Sequence, residues 1–178
     1  MVKEKNIEFE LDKTFDPVRC RHYLNGVCTV LHCHHYATLY TQLADDAVDF
    51  NGKELLKKAA EDSFYAVLND YYSQNGIEAI EAKISIAQQY WQVVGMGMIK
   101  FTGVGQYTVT AEMDYSHLDE GWLKKWGSRT KPVNFISAGF VGAVAALTNN
   151  KPLGSYKVKE TKGLVCGDDV SAFEAILS

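Results

Sequence analysis

Three of the chain's five histidines, His32, His34 and His35, crowd around Cys33 in the uncharged stretch "VLHCHHYATLY", residues 30–40. Imidazole and thiolate are the side chains that transition metals favour, and a cysteine beside a histidine can make a nucleophile with its base. If the stretch is helical, Cys28, His32 and His35 fall at i, i+4 and i+7 along one stripe. That spacing suits a catalytic or redox metal with an open position, or a haem held through one histidine, with Cys20 or His22 reaching in from the preceding segment.

Other features weigh against that chemistry. One helix rarely supplies a whole coordination sphere, and neither H-x-x-x-H nor a paired C-x-x-C occurs. Adjacent helical side chains point apart, so a Cys33 nucleophile needs its base from another element, such as His117. The same stretch also reads as the wall of an apolar cavity. On a helix, Val30, Cys33, Ala37, Tyr40, Ala44 and Val48 make one apolar stripe, Thr38, Gln42, Asp45 and Asp46 share a wetter sector with His35, and His34 lies between. Tyr36 and Tyr40 on that helix, backed by Tyr90, Trp91, Trp122, Trp126, Phe135 and Phe140, add the aromatic surface of a mostly apolar pocket, with His34 as a polar handle.

The elements that must position these groups follow from the periodicity. Ile7, Phe9 and Leu11 alternate with acidic residues, as in a half-buried strand, and a long helix is expected from about Asn25 to Val48. Asn51 and Glu54 look like the start of a second helix that ends at Asn75–Gly76. Ile77, Ile80, Ile84, Ala87, Trp91 and Val94 mark a third, closed by Gly95 and Gly97.

The period then changes to two. Tyr107, Val109, Ala111 and Met113 alternate with polar residues after "GVG", which predicts a hairpin. Ser116 and Asp119 cap a short helix with Leu118, Trp122 and Trp126 on one face. Pro132 opens "PVNFISAGFVGAVAALTNN", a helix with a bulky side and a small side of Ala138, Gly139, Gly142 and Ala146. Something approaches that small side closely: a neighbouring backbone, or a ligand lying against Gly139. "GSYKVKE" and "VSAFEAIL" complete the pattern as strands. The order β-α-α-α-β-β-α-α-β-β gives one α+β domain over residues 1–178, an antiparallel sheet packed against helices.

Composition narrows the function classes. The chain has 178 residues, is 47% hydrophobic and 22% charged, and carries a net charge of -4. Without a basic stripe, nucleic acid is not expected as a partner. No apolar run is long enough to span a bilayer, and the first residues lack the core of a secretory signal, so the expected location is the cytoplasm, with the four cysteines reduced. "GVGQYT" is not a phosphate-binding G-x-G-x-x-G and leads into a strand, so a nucleotide cofactor has no support.

The last 45 or so residues resemble the 4-vinyl reductase domain family, often described as predicted hydrocarbon-binding proteins. Two motifs carry the likeness: the small-residue helix "NFISAGFVGAVAAL" and the terminal hairpin "VKETKGLVCGDDVSAFEAI", where the family shows E-x-x-C-x-x-x-G-x-x-x-C-x-F. Glu160, Gly167 and Phe173 match, as does the acidic Asp168, but Gly163 and Ser171 replace the two cysteines. In members that sense aromatic effluents, those cysteines and the glutamate help to hold a structural zinc. Glu160 cannot rebuild that site alone, and Cys166 is displaced by three residues, so no metal is expected there.

The resemblance implies a fold similar to vesicle-tethering subunits and to aromatic-responsive sensor domains, often homodimeric, with a pocket for small apolar molecules. The expectation is a binding domain for an aromatic or cyclic ligand, serving as carrier, sensor or accessory subunit. His32, Cys33, His34, Tyr36, Tyr40, Trp91, Trp122, Phe135 and Gly139 are the ligand-binding candidates. No cofactor is expected. The alternatives are a haem- or metal-dependent enzyme, a reductase or hydrolase centred on His32 to His35, and a tethering scaffold with a filled core.

Overall fold

A computed structural model describes residues 8–178, and Ile7 lies outside them. Three short antiparallel strands open this part of the chain: β1 (Lys13–Asp16), β2 (Arg21–Leu24) and β3 (Val27–Thr29). Helices α1 (His34–Asp46), α2 (Gly52–Gln74) and α3 (Ile80–Val93) follow. Strands β4 (Gly97–Val104) and β5 (Thr108–Ser116), helices α4 (His117–Trp126) and α5 (Phe135–Thr148), and strands β6 (Tyr156–Lys162) and β7 (Ser171–Leu177) complete it. The fold is α+β, and its main antiparallel sheet runs β4-β5-β7-β6.

One face of that sheet buries Ile99, Val109, Met113, Phe173 and Ala175. The other is polar and carries the Lys100–Asp114 ion pair at 2.6 Å. Helix α5 fills the space between sheet and helices: apart from half-buried Ile136, every residue from Phe135 to Thr148 is buried. Phe140 stacks on Trp91 of α3 with ring centroids 4.3 Å apart, and Phe64 of α2 meets both rings.

The small side of α5 is taken up by helix packing. A side chain at Gly139 would meet the Lys57 carbonyl of α2, with Ala60 Cβ at 2.7 Å and Glu61 N at 2.8 Å. Gly139 therefore lies against the α2 backbone, and a ligand there would have to displace α2.

The long helix expected from Asn25 is corrected. Asn25 and Gly26 both have positive φ, 47° and 78°, and turn β2 into β3. Asn-Gly is the residue pair that favours such a two-residue hairpin. Cys28 is thus on a strand, and its helical stripe with His32 and His35 does not exist. The first strand is also displaced: Phe9 and Leu11 precede β1, and Phe9 packs on Tyr71 and Tyr90 instead.

Helix α1 is rotated by part of a turn from the expected sense. Ala37 and Ala44 of the expected apolar stripe are buried, but Thr38 and Thr41 join them, whereas Tyr36 and Tyr40 are 51% and 45% exposed and Cys33 is exposed. Close approach by neighbours explains the rotation. A side chain at Gly121 of α4 would sit 2.7 Å from Thr38 Cγ2, and one at Gly52 of α2 would sit 2.6 Å from the Ala44 carbonyl. Only small side chains fit, and the threonine hydroxyls are satisfied by carbonyls within α1.

Alanine at Gly139 gains about 1 kcal/mol in helix propensity but forces α2 away, which costs about 1–3 kcal/mol. Gly139→Ala is therefore expected to be destabilising overall in urea titrations. Gly142→Ala, whose nearest neighbours are the Glu61 and Val158 side chains at 3.2–3.3 Å, should be close to neutral.

Candidate functional site

The histidines gather at the junction of α1 and α4. His34 opens α1 and His117 opens α4, and their ring centroids lie 5.9 Å apart. His32 is 6.3 Å from His117, and His35 packs edge-on to His34 at 4.3 Å. His34 Nε2 is buried without a hydrogen-bond partner. Burial holds His34 below the usual imidazole range, with His35 and Lys124 adding to the effect and Glu120 opposing it. Burial and then the neighbouring His32 and His34 act likewise on His117. Among the described residues, no group of three or more His, Cys, Asp or Glu side chains is placed to hold a metal ion.

A buried polar knot occupies the C-terminal motif. Asn134, the residue before α5, donates its side-chain amide to Asp119 Oδ2 at 2.6 Å and Glu160 Oε1 at 2.9 Å, and its backbone N–H to Glu160 Oε2 at 2.8 Å. Ser171 donates to Asp119 Oδ2 at 2.9 Å and accepts the Leu164 N–H at 3.0 Å. Ser116 caps α4 by accepting the Asp119 N–H and donates to Asn134 Oδ1. The expected Ser116–Asp119 cap is thus present and extends into the interior.

These residues do not fit a structural zinc. Gly163 offers no ligand, the Ser171 hydroxyl is engaged, and both Glu160 oxygens accept from Asn134. The nearest thiol, Cys166, lies 3.5 Å from where a side chain at Gly163 would begin, and burial raises its pKa, with Glu160 adding to that. The knot ties α4, α5, β6 and β7 together by hydrogen bonds.

Burial pushes the Glu160 carboxyl up to about 8, and the neighbouring Asp119 adds to the effect although the Asn134 hydrogen bonds oppose it. Below the knot, a recess of about 290 Å³ is lined by Lys57, Pro132, Phe135, Ala138 and Glu160.

A larger concavity lies elsewhere. A groove of about 570 Å³ runs between the first residues of the described chain and helices α2 and α3, lined by Phe9, Leu24, Val27, Val67, Tyr71 and Tyr90 among others. Side chains staple its outer wall in place. The Phe9 N–H donates to Gln89 Oε1 at 2.8 Å, and the Glu10 N–H to the Tyr71 hydroxyl at 2.9 Å. Asn25 holds the same segment to the β2–β3 turn through Asp12 N and the Glu10 carbonyl.

The ligand-binding candidates are dispersed among four places. His32, Cys33 and His34 lie at the start of α1, and Tyr36 and Tyr40 stack at 5.3 Å on its exposed face. Trp91 is fully buried with its indole N–H unpartnered, as is the Ser137 hydroxyl of α5. Trp122 packs with Val133 and Val165 under the Arg129 guanidinium. Phe135 borders the recess, and Gly139 faces α2. None of the nine lines the groove. Of the groove residues, Phe9, Leu24 and Val27 depend on the Asn25-Gly26 hairpin, which was the sequence signal for them.

No protein-family model matches the chain, and neither does any curated sequence. Solved structures do match. The phenol-responsive sensory domain of the transcription activator PoxR, crystallised with phenol, superposes with a TM-score of 0.74 at 11% identity, over 93% of this chain and 84% of that one. The trafficking protein particle complex subunit 3 from Naegleria fowleri, covalently bound to palmitic acid, matches with a TM-score of 0.53 at 13% identity, over 82% and 95% of the two chains. At such identities the likeness establishes the fold that this chain shares with them. No described helix is long and apolar enough to cross a membrane.

A Glu160 that keeps its proton only when folded contributes stability that is full below the ordinary carboxyl pKa of 4.5 and is lost as pH rises through about 8. Urea midpoints of wild type and Glu160→Gln, compared from pH 5 to 8, should show that decline in the wild type and its loss in the variant. Asn134→Ala leaves two buried carboxyl groups short of donors and should cost about 3–5 kcal/mol.

Proposed function

We propose that this chain is a small-molecule-binding domain of the 4-vinyl reductase type, taking a largely apolar ligand in the groove between the Phe9–Asp12 segment and helices α2 and α3. The groove carries this reading. Its volume of about 570 Å³ falls within the range of roughly 300–1,000 Å³ common for ligand sites, as does a mainly apolar and aromatic lining with a few polar groups. The fold shared with a domain crystallised with phenol and a subunit bound to palmitic acid supports it. The C-terminal motif residues Glu160, Gly167 and Phe173 support the family assignment. In this reading the protein works in the cytoplasm as a carrier, sensor or accessory subunit, without a cofactor.

Val67 lines the groove from α2 and is half-buried. Isothermal titration with 2-phenylethanol should give saturable one-to-one binding that Val67→Trp abolishes without altering the circular dichroism spectrum. If neither 2-phenylethanol nor any of a panel of small cyclic and aromatic compounds bound the wild type, the proposal would fail.

Homodimerisation is part of the same proposal. Tyr36, Leu39, Tyr40 and Leu43 recur at helical spacing on the outer face of α1, each 38–57% exposed, and Val48 and Phe50 just beyond are 75% and 82% exposed. An apolar surface of this kind is what interfaces between subunits cover. Sedimentation velocity should give a dimer for the wild type and a monomer for a Leu43→Asp/Phe50→Asp variant. A monomeric wild type at micromolar concentrations would refute the dimer alone.

A further inference from the structure

The charge of the groove specifies its ligand more closely. Three of its described lining residues are charged, Glu10, Asp12 and Asp70, and all three are acidic; among the described residues no Lys, Arg or His lines it. None of the three is ion-paired with a described residue, the described ion pairs lying elsewhere on the surface.

The uncharged polar groups show the same bias. The side-chain N–H groups of Asn25 and Asn75 are directed at the Glu10 and Tyr71 carbonyls. The Phe9 and Glu10 N–H groups are likewise engaged, by Gln89 and Tyr71. The Asn25 and Asn75 amides and these backbone N–H groups are thus spent within the protein, whereas the Gln74 amide, the tyrosine hydroxyls and the carboxylates remain.

The apolar part is aromatic. Phe9 lies 4.7 Å from the ring of Tyr71 and 5.7 Å from that of Tyr90, centroid to centroid, so three rings form one continuous wall. Tyrosine and phenylalanine faces attract a cation through their quadrupoles, and nearby carboxylates reinforce that attraction. A carboxylate ligand would meet three like charges with no compensating cation among the described lining residues. No cysteine lines the groove, so a covalent thioester has no partner there either.

Resting on the small-molecule-binding reading above, we propose that the groove takes an apolar or aromatic amine, its ammonium group held at the acidic rim by Asp70, Asp12 and Glu10 and its hydrocarbon body against Phe9, Tyr71 and Tyr90. Fatty acids and other anionic amphiphiles are disfavoured by the same charges. The rim is open to water, so the selectivity is modest, and it weakens as salt screens the carboxylates.

Three probes of matched size separate the possibilities: 2-phenylethylamine, 2-phenylethanol and phenylacetate, titrated calorimetrically against the full chain at pH 7 and low ionic strength. The amine is expected to bind about tenfold more tightly than the alcohol, as one cation–π contact and screened carboxylates provide, with phenylacetate weakest. Asp70→Asn, at an exposed position, should reduce the amine's advantage severalfold and leave the alcohol unchanged, and high salt should reduce it as well. Alcohol binding as tight as the amine's, or an amine advantage unmoved by Asp70→Asn, would overturn the amine assignment while leaving a small-molecule groove intact. Binding of none of the three would overturn both.

Discussion

The burial of α5 on every side arranges the other elements around it. Its fourteen residues carry only small hydroxyl side chains as polar groups, so no face of it gains from contact with water, and each must be covered by another element. Glycine and alanine on one side let the α2 backbone approach. Phe140 on another reaches the Trp91 and Phe64 rings, and the inner face of the sheet closes the rest. This places α2 and α3 side by side, and the groove forms on their outer surface. A core built in this way is filled by protein side chains, and the groove lies beside it.

The entry of the chain into α5 is held by charge and hydrogen bonding. A single amide, Asn134, satisfies carboxyl groups from α4 and β6 in a region shielded from water, where an unsatisfied carboxyl is costly. Gly163 and Ser171 stand where the resembled motif has cysteines. Here the side chains satisfy one another, and burial pushes the Glu160 carboxyl up while the Asn134 hydrogen bonds oppose that shift.

Helix α1 shows how tertiary contact overrides pattern. Read alone, Cys33 and Tyr40 belong inside with Ala37 and Ala44, and Thr38 belongs outside. Gly121 and Gly52 bring α4 and α2 so close that only alanine and threonine fit between, and the bulky residues turn outward. The histidine cluster follows from the same contact, because it brings His117 beside His32 and His34. The apolar surface that results on α1 is unpaired within one described chain.

Much of the fold was legible in the sequence because it is encoded locally. The 3.6-residue period of α2 and α3, the alternation of β5, the Ser116 cap and the small-residue side of α5 each depend on residues a few positions apart. The α+β class followed from their order. The Asn25-Gly26 turn was equally local, and a helical pattern drawn across it hid the hairpin. Which side of α1 is buried, which distant imidazoles meet, how Asn134 joins Asp119, Glu160 and Ser171, and where a groove opens between residues 9–12 and 67–94 depend on pairs separated by tens of residues. Periodicity carries no information about such pairs. The sequence by itself determined helices α2 to α5, strands β4 to β7 and the absence of the thiolate pair at Gly163 and Ser171; tertiary packing decided the orientation of α1 and where the groove opens, because close approach between helices selects side-chain size before it selects polarity.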